Sequence, residues 1–182
     1  MAVYKIFPTK DATLYSQYNK MNTGLDEIVE ASTFTIGTDA IAQTSRFLVQ
    51  FGTNEINDII NNKINGATYT PYLRIFAANV TSINTDSTLK IYPVSESWDM
   101  GTGKFLDSPQ KTNGCSWKFN TYSGSTYWQT ASADFSTNTT ASFQNANPGG
   151  GTWYTVSSST QSYSYKKSTD LEVNVKDIVT AW

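Results

Sequence analysis

The chain has 182 residues, a formal net charge of −2 and 15% charged side chains, and its Thr, Ser and Asn residues number 26, 20 and 15. Histidine is absent and cysteine occurs once, at Cys115, which excludes Ser-His-Asp and Cys-His nucleophile systems and leaves no set of thiols for a zinc or iron–sulfur centre. The Lys and Arg residues are scattered, with Lys166-Lys167 the longest basic run, so no clustered patch for nucleic acid forms, and no apolar run approaches the ~20 residues that span a bilayer.

Ile6–Ser16 reads as an extended opening interrupted by Pro8, and Asn22-Thr23-Gly24 as a turn. Glu27–Ser32 followed by Thr33–Gly37 favours a strand or hairpin. Ser45–Phe51 is a clear strand, with Phe47, Val49 and Phe51 on one face and Leu48 and Gln50 on the other. Ile56, Ile59, Ile60 and Ile64 then form one apolar stripe, which predicts a short helix near residues 54–64, capped by Asn54 and ended by Asn65-Gly66. Tyr72–Ala77 and Thr88–Tyr92 are strands, the second stopped by Pro93.

From Ser95 to Ser168 the chain loses clear apolar periodicity and fills with Ser, Thr, Gly and aromatic residues. Asn147-Pro148-Gly149-Gly150-Gly151 is expected to be a turn or loop. Leu171–Val175 alternates strictly, and Asp177–Trp182 suits a helical turn. Strand-favouring Thr, Tyr, Phe and Trp with turn-favouring Asn, Ser and Gly predict one all-β domain over residues 1–182. The expected core draws on Phe47, Val49, Phe51, Leu73, Ile75, Leu89, Ile91, Trp98, Leu171, Val173 and Val175.

The order of these features resembles a known family. It runs Asp11-Ala12-Thr13-Leu14-Tyr15, Asn22-Thr23-Gly24, Arg46–Phe51, the isoleucine helix, Tyr72–Phe76, Tyr92–Trp98, Gly114-Cys115-Ser116-Trp117 and a closing Val173–Trp182. This is similar to the DNRLRE, or disaggregatase-related, β-sandwich domain, in the form found in virion structural proteins of tailed phages, cyanophages among them. The resemblance implies a jelly-roll-like β-sandwich and a non-enzymatic virion component of the tail, fibre, baseplate or collar. It implies other virion proteins as partners, homo-oligomerisation, and synthesis in the host cytoplasm. An opening segment without an apolar h-region fits that route. The family pattern continues past the Val-x-x-Trp segment into a further strand, so residues 1–182 are expected to be the N-terminal part of a longer chain, or else a second chain supplies that strand.

Three sets of residues carry candidate chemistry. Glu96, Asp99 and Asp107 around Trp98 have the ingredients of a glycosidase pair, but a solvated turn with Trp98 packed inward is the favoured reading. Asp99 and Asp107 with loop carbonyls are also the nearest approach to a Ca²⁺ site, yet the spacing of a calcium loop is missing, so no cofactor or metal is expected. Tyr122, Tyr127, Trp128, Trp153, Tyr154, Tyr163 and Tyr165 have three readings: an interface with a neighbouring subunit, core packing, or a platform for host-surface glycans in a carbohydrate-binding module. Capsid decoration is a further alternative. Tyr163 and Tyr165, alternating with serines, are expected on one face of a strand. Cys115 reads as a small packing residue, and Asn79-Val80-Thr81 and Asn138-Thr139-Thr140 as chance matches to the glycosylation pattern.

Overall fold

The computed structural model describes residues 2–36, 41–78, 86–122, 126–128, 138–143, 147–154, 157–164 and 170–181. It is built mostly of strands in small antiparallel sheets. β1 (Pro8–Tyr15), β2 (Ser32–Ile36) and β3 (Ile41–Phe51) form one sheet in the order β1-β3-β2. β4 (Tyr72–Ile75) pairs with β11 (Leu171–Asn174), and β5 (Ser87–Ile91) with β10 (Ser159–Tyr163). β6 (Phe119–Thr121) pairs with β7 (Thr126–Tyr127), and β8 (Asn138–Phe143) with β9 (Asn147–Tyr154).

The register of β1 on β3 decides which face is the core. Ala12 lies opposite Leu48 and Leu14 opposite Arg46, and Ala12, Leu14 and Leu48 are all buried together with Trp98, Cys115, Trp117 and Trp128. The core face of β3 is therefore the one carrying Leu48, not the one carrying Phe47, Val49 and Phe51, which are only partly covered. Sequence patterning misleads here because the true core face also holds a charge, Arg46. Of the other expected core residues, Trp98, Leu171 and Val173 are buried, whereas Leu73, Ile75, Leu89, Ile91 and Val175 are partly exposed.

The isoleucine stripe does form a helix, α1 (Thr53–Asp58), which continues into a π-helical segment at Ile59–Ile64. Its start is not capped by Asn54. Gly52 occupies the cap position with extended dihedrals and no side-chain bond, and Asn54 falls inside the first turn. Asn65 ends the helix in the left-handed region at φ 47°, its N–H donating to Ile60 O over 3.0 Å. Asn tolerates this conformation because its short polar side chain adds little crowding.

Asn147–Gly151 is strand, not loop. It opens β9, and Gly149 and Gly150 let the backbone lie directly on Trp117. A Cβ on Gly149 would run into the Trp117 carbonyl and one on Gly150 into the indole ring, and Gly150 adopts a φ of +80°. The Gly150 N–H donates to Trp117 O at 2.7 Å. Glycine is thus selected by close approach, which a composition-based reading takes for flexibility.

β11 keeps the expected alternation, Leu171 and Val173 inward, Glu172 and Asn174 outward. Glu172 faces Arg74 across the β4–β11 pair with an exposed ion pair of 3.4 Å. β10 runs beside β11 without a shared backbone ladder, and the side-chain amide of Gln161 fills the gap. Its Nε2 donates to Asp170 O at 3.0 Å and its Oε1 accepts from Glu172 N at 2.9 Å. Ser159 Oγ donates to Asn174 O at 2.9 Å. The chain then closes with α2 (Lys176–Ala181); the four-residue spacing of Ile178 and Trp182 ends on a residue outside the described set. Among the described residues no helix is long and apolar enough to cross a membrane.

Candidate functional site

The middle of the molecule is organised by a single asparagine. Asn22, in the turn after β1, is fully buried. Its Nδ2 donates to Met100 O at 2.7 Å and to Cys115 O at 2.9 Å, while its Oδ1 accepts from Gly103 N at 2.8 Å and Gly24 N at 3.4 Å. One amide thereby ties together the segments around residues 22–24, 100–103 and 114–115. A Cβ on Gly24, Gly101, Gly103 or Gly114 would collide with Asn22 or with the loops it holds. Beside it Thr23 Oγ1 donates to Thr13 O at 2.7 Å and accepts from Thr13 N at 3.0 Å, so a side chain takes the place of a neighbouring strand along β1. Buried amides and hydroxyls are tolerable only when paired in this way.

Above this knot sits a column of rings and one cation. The Arg46 guanidinium carbon lies 5.2 Å from the Trp117 ring centroid and 5.0 Å from that of Trp153, and Nη1 donates to Gly150 O at 3.1 Å. Tyr92 packs on Trp153 with ring centroids 5.7 Å apart. Cation–π attraction is strongest on indole and grows as water is removed. Burial pushes the Arg46 guanidinium down to about 10, an effect that Tyr92 opposes. Lys10 stands in a similar way over Trp98, 5.6 Å from its centroid, with Nζ donating to Trp98 O at 3.2 Å.

The seven aromatic residues singled out from the sequence do not form one surface. Trp128 is a core residue, 4% exposed, with its indole N–H donating to Ser116 O at 2.8 Å; it offers no ring to a sugar or a neighbour. Trp153 and Tyr154 lie half-buried on β9, Trp153 against Arg46. Tyr163 is half-buried at the end of β10 opposite Ser87, and burial, with a smaller contribution from Asp170, pushes its hydroxyl up. Tyr165 lies outside the described residues.

Tyr122 and Tyr127 do come together, flanking buried Phe119 with centroid distances of 5.3 and 4.8 Å. Tyr127 is 54% exposed and Lys118 Nζ stands 5.3 Å from its ring centroid. Sequence reasoning passed over Lys118 and Phe119, although their place beside Trp117 in a segment of alternating polar and aromatic residues marks them. It also passed over the loop carrying Phe105 and Leu106. Phe105 packs on Tyr15 at 5.1 Å and Tyr18 at 5.8 Å, and Leu106 is 88% exposed.

The carboxylates near Trp98 are each engaged in local structure. Glu96 accepts from Asn120 Nδ2 at 3.0 Å, Asp99 accepts from the Thr121 hydroxyl, and Asp107 accepts from Lys104 N at 2.9 Å within a tight turn. Trp98 itself is packed inward. Among the described residues no three His, Cys, Asp or Glu side chains gather as a metal-ligand group. Cys115 is fully buried, and burial pushes its thiol up to about 12, where it holds its proton and is no nucleophile. In comparison with known proteins, no family model, curated protein or solved structure matches this chain.

Proposed function

We propose that this chain is a non-enzymatic assembly protein, a jelly-roll-like β-sandwich of the DNRLRE type that serves as a structural component of a phage particle. Tail, fibre, baseplate or collar is the favoured place. Other virion proteins and further copies of the chain are its partners. The observation that carries the reading is the pair Tyr122 and Tyr127, held in the open on a buried Phe119 with Lys118 alongside. Interface cores favour such pre-ordered aromatic side chains beside a cation with a long apolar stem, because little rotamer entropy is lost on docking. The local duties of Glu96, Asp99 and Asp107 support a role without catalysis.

Light scattering of the protein over a range of concentrations tests the reading. The expected result is a symmetric oligomer that Tyr127→Ala with Tyr122→Ala converts to monomer without loss of strand content. A monomer at all concentrations, unchanged by the substitutions, overturns it. A second reading, a carbohydrate-binding module, draws on the open groove at the end of the β5–β10 pair. Asp86, Ser87, Thr88, Ser162, Tyr163 and Ser164 line it, and a tyrosine among hydroxyls and a carboxylate suits a sugar ring. Glycan-array binding that Tyr163→Ala abolishes would favour this module.

A further inference from the structure

Two Asn-Gly dipeptides occur in the chain, at residues 65–66 and 113–114, and the fold treats them in opposite ways. We propose that Asn65-Gly66 is a site of spontaneous deamidation, while the fold protects Asn113-Gly114 from the same reaction.

In the reaction the Gly66 amide nitrogen, on losing its proton, attacks Asn65 Cγ. A bond forms between that nitrogen and Cγ, the Cγ–Nδ2 bond breaks, and Nδ2 leaves as ammonia. Water then adds to either carbonyl of the five-membered succinimide, leaving aspartate or isoaspartate, with no change of oxidation state. The step needs the Gly66 nitrogen to swing onto Cγ by rotation about Asn65 ψ, which stands at 56°.

At the first site no side chain opposes that rotation, and the one backbone bond that spans it, Ala67 N–H to Ile64 O at 3.1 Å, closes a turn exposed to water. Both residues are exposed, Gly66 has a φ of +81°, and nothing lies within 4 Å of the place a Cβ would occupy on it. Among the described residues no hydrogen bond restrains the Asn65 side chain. Glycine also adds no side chain to crowd the ring closure. At the second site both groups are held. Asn113 Nδ2 donates to Thr102 Oγ1 at 2.7 Å and its Oδ1 accepts from Thr102 N at 3.2 Å. Gly114 is buried against Gly101 and the Asn22 amide.

The product carries consequences. One event takes the formal net charge from −2 to −3. The new carboxylate stands at a helix C-terminus, where the negative end of the peptide dipoles disfavours it. Isoaspartate further inserts a methylene into the main chain at the residue whose N–H reaches Ile60 O, loosening the last π-helical turn.

Incubation of the full chain at mildly alkaline pH, followed by isoelectric focusing and peptide mapping, tests the proposal. A sample unfolded in urea runs in parallel. The folded chain is expected to gain one acidic band that maps to residue 65, with residue 113 intact, while the unfolded chain converts at both. Asn65→Ala should lose the acidic band and Gly66→Ala should slow its appearance. Residue 65 staying intact in the folded chain while both positions convert in urea overturns the proposal. So does conversion of residue 113 at the same rate as residue 65 in the folded chain.

Discussion

The knot around Asn22 and Trp117 and the outer pairs β4–β11 and β5–β10 are built by different rules. In the knot, side chains bond to main-chain groups distant in sequence, and the covered residues include Asn22, Thr23, Cys115, Ser116 and Trp117. In the outer pairs, regular ladders hold strands whose apolar residues Leu73, Ile75, Leu89 and Ile91 remain partly exposed. The lesson is that burial here does not require a ladder. The β4 and β5 strands pair regularly yet are thinly covered, whereas the covered segment from Cys115 to Trp117 has little regular structure.

If the knot holds the molecule together, its removal should have the largest effect. Asn22→Ala leaves the Met100 and Cys115 carbonyls and the Gly103 amide without their partner in a buried place. At about 1–3 kcal/mol for each stranded group, the loss is several kcal/mol, comparable with the whole stability of a typical domain. Asn22→Asp should be as harmful, because a carboxylate cannot donate to the two carbonyls. Urea titration reads both. A change of less than about 1 kcal/mol, the usual cost in an exposed turn, would show that the knot is ornamental and erase the contrast.

What the sequence disclosed and concealed follows the same division. β4, β5 and β11 with its strict alternation, the isoleucine helix and its Asn65 ending were legible, because periodicity and end signals are local properties, whereas β10 showed only in the alternation around Tyr163. Asn22-Thr23-Gly24 read as a turn, which it is, but nothing local told that the turn is buried. Burial of a polar residue depends on partners supplied some eighty to ninety residues later, at Met100, Gly103 and Cys115. Arg46 hid the core face of β3 for a related reason, since a guanidinium counts as polar until two tryptophans are seen around it. The candidate aromatic set was legible as a composition only. Trp128 and Tyr127 are adjacent, yet one is 4% and the other 54% exposed.

A second contrast concerns pH. Cys115 in the knot is pushed up to about 12 from an ordinary value of 9.0, and burial, followed by the Glu30 carboxylate, pushes Tyr15 upward as well. An acid whose folded value is raised keeps its proton longer in the folded state, so the unfolded state binds fewer protons between the two values and stability falls as pH rises. For Cys115 the contribution is complete below pH 9 and lost between about 9 and 12, on the order of a few kcal/mol. Chemical denaturation at stepped alkaline pH should show this slope, and Cys115→Ala should flatten it. An unchanged slope in the variant would place the alkaline sensitivity outside the knot.

The smallest effect is expected where the outer pairs meet. Gln161 bridges β10 and β11 with one amide that both donates and accepts, standing in for a single peptide group. Replacing it with alanine frees Asp170 O and Glu172 N at an exposed place where water can take over. The cost is about 0.5–1.5 kcal/mol, the net worth of a hydrogen bond that water can replace. Hydrogen exchange is the sharper measurement. In Gln161→Ala the Glu172 amide should exchange faster while the Gly103 amide, bonded to Asn22, keeps its protection. Local opening of that kind would show the outer pairs to be a unit that loosens independently of the knot. Equal acceleration at both amides would instead make the two regions one cooperative structure, and the difference between them would then be one of construction and not of stability.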